Sequence, residues 1–131
     1  MFFKKKIILD TNFLMIPGEL GIDIFSQIDD LMQEPYKLCV MKGTNEELKK
    51  LIAKSKNTKE SLNAKLGYIM LKQKNLKTLT GSSDNVDDSI VEYAKNHQVI
   101  VATQDKELAK RLKEENVKTI ALRQKKYLTL R

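Results

Sequence analysis

In KKKIILDTNFLM, residues 4–15, an aspartate closes an apolar run. Ile7–Leu9 has the character of a strand buried on both faces. Asp10 directly after it is expected to be partly buried, and an unpaired buried charge is costly. Thr11 and Asn12 add oxygen and amide groups beside it. Three other segments carry acids in comparable positions. Asp105 closes VIVATQD, Asp87 and Asp88 begin VDDSIVEYAKN directly after the loop GSSDN, and Glu47 sits early in TNEELKKLIAK. Taken singly, the acids at 47, 87 and 105 fit ordinary helix starts, where the helix dipole favours negative charge. Taken together they repel one another, and without a counterion they would take up protons. A hard divalent cation, Mg²⁺ or Mn²⁺, meets that need with carboxylate and water oxygens. A carboxylate-held metal on a basic chain points to phosphodiester chemistry. The ion polarises phosphate and activates water, and lysines hold the polymer backbone.

The elements that must position these acids can be read from periodicity. Residues 6–10, YKLCVM at 36–41, LKTLT at 76–80, QVIVAT at 98–103 and VKTIALR at 117–123 read as strands. Helical spacing covers GIDIFSQIDDLM, ended by Pro35, and TNEELKKLIAK, where Thr44 three residues before Glu47 has the pattern of a capping box. SKNTKESLNAK reads as the end of that helix, a short exposed link and the start of another that continues through LGYIMLKQKN, and further helices follow over residues 86–96 and 105–116. The tail QKKYLTLR, residues 124–131, reads as an edge strand or a loose basic arm. Strands alternating with helices imply an α/β fold, a parallel sheet covered on both faces. In such a sheet, ligands gather beyond the carboxyl ends of the strands, where helix starts also lie. Acids from four segments can therefore meet at one edge.

A chain of 131 residues suits one domain over its whole length. With 41% hydrophobic and 31% charged residues it is globular rather than disordered. Its single cysteine, Cys39, excludes an intrachain disulfide and gives no sign of an oxidising compartment. No apolar run reaches the roughly 20 residues of a membrane helix. No cleavage pattern follows MFFKKKIILD, so the expected location is cytoplasmic. The formal charge of +7, from 24 basic against 17 acidic side chains, attracts polyanions, of which nucleic acid is the commonest.

The order of motifs resembles the PIN-domain ribonucleases, the family of VapC-type toxins and of nucleases of ribosomal RNA maturation. The matching pieces are LDTNFL at 9–14, EL at 47–48, VDDSIVEYA at 86–94 and VATQDKEL at 101–108. The double acid and the basic final helix look most like stand-alone archaeal PIN proteins. The resemblance implies a three-layer α/β/α sandwich with a parallel sheet of about five strands. It also implies metal-dependent endonuclease cleavage of single-stranded RNA, in rRNA or tRNA processing or as a toxin. Carried over by position, the four family acids fall on Asp10, on Glu47 rather than Glu46, on Asp87 rather than Asp88, and on Asp105. Asp88 stands by as a helper to the metal. Asn12 and Thr103 match small polar positions that orient carboxylates or waters. A homodimer, an antitoxin or a ribosome-assembly partner would be family-typical company. A non-cleaving PIN-like module that holds RNA or protein is the alternative.

For RNA contact the sequence offers Lys49, Lys50 and Lys54 beside Glu47, and Tyr127 among Lys125, Lys126 and Arg131. A solvated lysine face is the competing explanation for the first group. His97, at a helix end, reads as a C-terminal cap rather than a catalyst. Tyr93 reads as packing, and Ser82 and Ser83 as loop residues.

Overall fold

The strand β1 (Lys5–Leu9) leaves Ile7, Ile8 and Leu9 with no exposed surface. Burial on both faces requires neighbours at both edges and a layer on each side. In the computed structural model, which describes residues 4–131, β1 has both. Met1–Phe3, where the leader reading begins, lie outside the described residues. β1 pairs in parallel with β2 (Tyr36–Met41) at one edge and with β4 (Val99–Ala102) at the other. β3 (Lys77–Leu79) extends the sheet beyond β2, and β5 (Lys118–Arg123) beyond β4, both in parallel. The sixth strand, β6 (Tyr127–Leu130), turns back antiparallel along β5. The resulting order is β3-β2-β1-β4-β5-β6. The tail is thus the edge strand of its two predicted forms, and the sheet has one antiparallel strand beyond the five expected.

Because strand side chains alternate, β1 feeds two cores. Ile7 and Leu9 join Phe13, Leu48, Ala64 and Ile100 on one face. Ile8 joins Cys39, Met41, Ile90, Val101 and Leu108 on the other. The first face is covered by α1 (Thr11–Leu14), α2 (Ile16–Leu20), α3 (Ile24–Leu31), α4 (Lys42–Lys54) and α5 (Lys59–Gln73). The second is covered by α6 (Val86–Asn96) and α7 (Lys106–Glu114). This is a three-layer sandwich. Among the described residues no helix is long and apolar enough to cross a membrane.

Two local features depart from the sequence reading. Residues 11–20 form two short helices, α2 starting around Pro17 and ending at Gly21 with φ 67°. Neither is long enough to display a period. The predicted capping box does not form. α4 begins at Lys42 with Met41 as its cap, so Thr44 lies inside the helix, fully buried, and Glu47 falls in the second turn. Glycine brings α5 close to α1, since a Cβ at Gly67 would stand 2.6 Å from the Leu14 carbonyl oxygen.

Candidate active site at the carboxyl edge of the sheet

The chain leaves β1 at Asp10 and turns at once into α1. The side chain of Asp10 caps that turn, its Oδ1 accepting the Thr11 N–H at 2.8 Å. Its other oxygen accepts the Thr103 hydroxyl at 2.7 Å, across from the end of β4. The residue is only 4% exposed. Each carboxylate oxygen still has a free lone pair. Burial pushes the Asp10 carboxyl up to about 6, with Asp87 and Glu47 adding repulsion and the two hydrogen bonds opposing it.

Thr103 also organises the next acid. Its hydroxyl oxygen accepts the Asp105 N–H at 3.0 Å. Asp105 is the cap of α7, with Oδ1 accepting the N–H groups of Glu107 and Leu108 at 2.9 and 3.2 Å. Asn12 fastens the same loop from the β1 side, its Oδ1 accepting the Gln104 N–H at 3.2 Å. Asn12 therefore acts on the backbone beside Asp105, while Thr103 touches Asp10 itself.

Glu47 reaches the same place from α4. That helix is registered on α1 by the Thr11 hydroxyl, which donates to the Thr44 hydroxyl at 3.0 Å within the buried interface. Burial raises the Glu47 carboxyl above its usual range, and Asp87 raises it further, while Thr11 and Lys50 oppose this. Asp87 lies in the first turn of α6, which is capped by Asn85 accepting the Asp88 N–H at 3.0 Å. Burial raises the Asp87 carboxyl first, then the Asp105 and Asp88 charges, with Arg111 pulling the other way.

Asp10, Glu47, Asp87 and Asp105, together with Asn12, line one cleft of about 450 Å³. Asp88 does not line it, and its Oδ1 is 2.9 Å from Arg111 Nη2. Glu46 lines a neighbouring hollow with Lys50. Two acids that the sequence reading passed over, Glu19 on α2 and Glu60 on α5, also border the main cleft. Glu60 is a first-turn helix acid like many others, and Glu19 sits in a helix without a periodic signal, so neither stood out.

The donor set is wholly oxygen, the buried carboxylate keeps free lone pairs, and burial together with like charge raises three of the acids. Those properties suit a hard divalent cation. Among the described residues, no group of three or more His, Cys, Asp or Glu is arranged to hold an ion as the side chains lie. The acids surround the cleft without converging on one point.

Lys49 sits with its Nζ 5.9 Å from the centre of the Tyr68 ring, and Lys50 and Lys54 are exposed on α4. Tyr127 is 44% exposed at the start of β6 and does not line the cleft. His97 is the C-cap of α6, its Nδ1 3.0 Å from the Tyr93 carbonyl oxygen and its ring stacked on Tyr93 at 3.9 Å.

Three comparisons bear on this arrangement. A family model described as a PIN like domain matches residues 7–125. Ribonuclease VapC4 of Methanocaldococcus jannaschii is 34% identical over 126 residues, covering 95% of each chain. The PIN domain endonuclease Utp24 superposes with a TM-score of 0.77 over 95% of this chain and 90% of that one, at 21% identity, a likeness of fold. The chain belongs to the PIN-like domain family.

Proposed function

We propose that this protein is an endoribonuclease that hydrolyses phosphodiester bonds of single-stranded RNA, with Asp10, Glu47, Asp87 and Asp105 holding Mg²⁺ or Mn²⁺. The observation that carries the reading is the buried Asp10 carboxylate. It faces a cleft that Glu47, Asp87 and Asp105 also line, where burial and neighbouring negative charge raise the carboxyls of Asp10, Glu47 and Asp87. Such a cluster costs stability unless positive charge fills it. The 34% identical relative is named a ribonuclease, which makes RNA the first polymer to test.

When bound, the ion supplies the charge that favours in-line attack of water on phosphorus. The chain's own residues set the stage. Thr103 and the Thr11 N–H hold Asp10 in one orientation with lone pairs free. Asp105 is fixed through its N–H by Thr103 and through the loop by Asn12. Glu47 brings a fourth carboxylate to the cleft from α4. Lys50 beside it, with Lys49 and Lys54 along α4, offers charge to the RNA backbone.

Labelled single-stranded RNA incubated with Mn²⁺, and in parallel with a chelator, tests the reading. Cleavage in the first alone, lost in Asp10→Asn together with Mn²⁺ binding by calorimetry, supports it. An Asp10→Asn protein that cuts at the original rate would sink it. RNA binding without any cleavage by the wild type would favour a non-cleaving PIN-like module.

A further inference from the structure

We propose that the tip of the β5–β6 hairpin is a second grip on single-stranded RNA, away from the acids. In it Arg123, Lys125 and Lys126 hold the phosphate backbone and Tyr127 stacks on a base. This rests on the endoribonuclease reading for the identity of the polymer.

The register of the sheet places the tip. Ala102, the last residue of β4, pairs with Ile120, so β5 runs on through Ala121, Leu122 and Arg123 past the end of its neighbour. Three residues of strand reach about 10 Å beyond that edge. Three strand spacings separate β1 from β6, about 14 Å. The tip therefore stands on the acid-bearing side of the molecule, beside the cleft, at a distance a few nucleotides of extended strand would span.

The turn itself is built against local preference. Among the described residues, those with positive φ are Gly21, Asn57, Asn75, Asn116, Gln124 and Lys125. Glycine and asparagine tolerate that region, and other residues are strained in it. The two exceptions are adjacent, both at φ 53°, in the turn closed by the Lys126 N–H on the Arg123 carbonyl at 3.0 Å. Two consecutive positive-φ positions are where hairpins favour Asn-Gly. Here the chain keeps long polar side chains, and strain of this kind tends to mark positions held for function.

The tip is also clamped. Gln27 of α3 donates from Nε2 to the Lys126 carbonyl at 3.0 Å and accepts the Leu128 N–H at 2.7 Å. Leu128 below it is buried. A turn made only to close a hairpin would not need anchoring on both sides of Tyr127. The three cations are exposed, and none forms an ion pair among the described residues. Basic groups on an anchored backbone with an aromatic ring beside them are what a single-strand binder presents.

The test uses the full chain and a labelled single-stranded RNA, with affinity measured across salt concentrations. Lys125→Glu with Lys126→Glu should weaken binding about tenfold or more and reduce the salt slope by between one and two. Tyr127→Ala should weaken it about tenfold with the slope unchanged. Lys125→Gly separates function from folding. It suits the backbone, so the melting temperature should rise while affinity falls, opposite movements that a purely structural turn would not give. Wild-type affinity in the double charge variant and in Tyr127→Ala overturns the proposal. If the wild type binds no RNA, the proposal and the endoribonuclease reading fall together. If RNA binding depends on the tip but Asp10→Asn cuts normally, only the reading of the acids fails.

Discussion

The Thr103 hydroxyl gives its proton to Asp10 at 2.7 Å and takes the Asp105 N–H at 3.0 Å, so one side chain sets the spacing of two acids. Its bond is the strongest influence holding the Asp10 carboxyl down against burial. Thr103→Val keeps the shape and removes both bonds. Asp10 should then be harder to ionise, and Mn²⁺ affinity should fall about 10- to 100-fold, as for lost groups that orient ligands. The deficit should be larger at pH 6.5 than at pH 8.5. Equal Mn²⁺ affinity of variant and wild type at both pH values would reduce Thr103 to a turn residue.

Asp10 also makes the metal-free protein sensitive to pH in an unusual direction. Its folded value of about 6 lies above the ordinary 3.8, so between those values the folded chain binds more protons than the unfolded one. The carboxyl therefore lowers stability as pH rises through that window, and the whole penalty stands above about pH 6. A shift of this size is worth up to about 3 kcal/mol. In chelator at pH 7.5, Asp10→Asn should be more stable than wild type by about 1–3 kcal/mol, while near pH 4 the two should converge. Urea denaturation at both pH values gives the comparison. A variant less stable at pH 7.5 would mean that its hydrogen bonds outweigh its charge.

The neighbours Asp87 and Asp88 should behave differently. Asp87 lines the cleft, whereas Asp88 is paired with Arg111 at 2.9 Å on the surface. Asp87→Asn should lose cleavage and most Mn²⁺ affinity. Asp88→Asn should keep both within a few-fold and change stability by less than about 1 kcal/mol, the usual worth of an exposed pair. Matched calorimetry and cleavage assays decide it. Equal losses in the two variants would place both carboxylates on the ion.

Gly67 is a test of packing away from the acids. Alanine is the better helix former by about 1 kcal/mol. At Gly67, however, its Cβ would be 2.6 Å from a backbone carbonyl that cannot swing aside. Gly67→Ala should therefore destabilise the protein, by about 1–3 kcal/mol, as overpacked sites do. A urea midpoint at or above that of wild type would show that α5 can shift off α1 without penalty.

The sheet was legible because β1 and β4 are short apolar runs set between helical patterns, the composition of strands that lie between two helix layers. The common edge of the acids followed from parallel order alone. What stayed hidden depended on contacts distant in sequence. Thr44 looked like a cap because Glu47 follows it at the right spacing, but its hydroxyl is committed to Thr11, and the helix starts earlier. The resemblance placed Asp87 rather than Asp88 among the four acids, but the pairing of Asp88 with Arg111 on another helix had no local mark. The tail had two readings because the clamp that settles it, Gln27, lies about a hundred residues upstream. Glu19 and Glu60 carried no local mark at all.

The bond between Asp10 and Thr103 joins residues 93 positions apart. A ribosome thus makes the first acid of the cleft long before the strand that buries it. Until Val99–Ala102 leaves the exit tunnel, one edge of β1 lacks its neighbour and Asp10 lacks Thr103. The half-made chain carries its lysines but no assembled cleft. On the proposed reading, activity is withheld during synthesis and arrives with the fold, which spares the translating message from its own product.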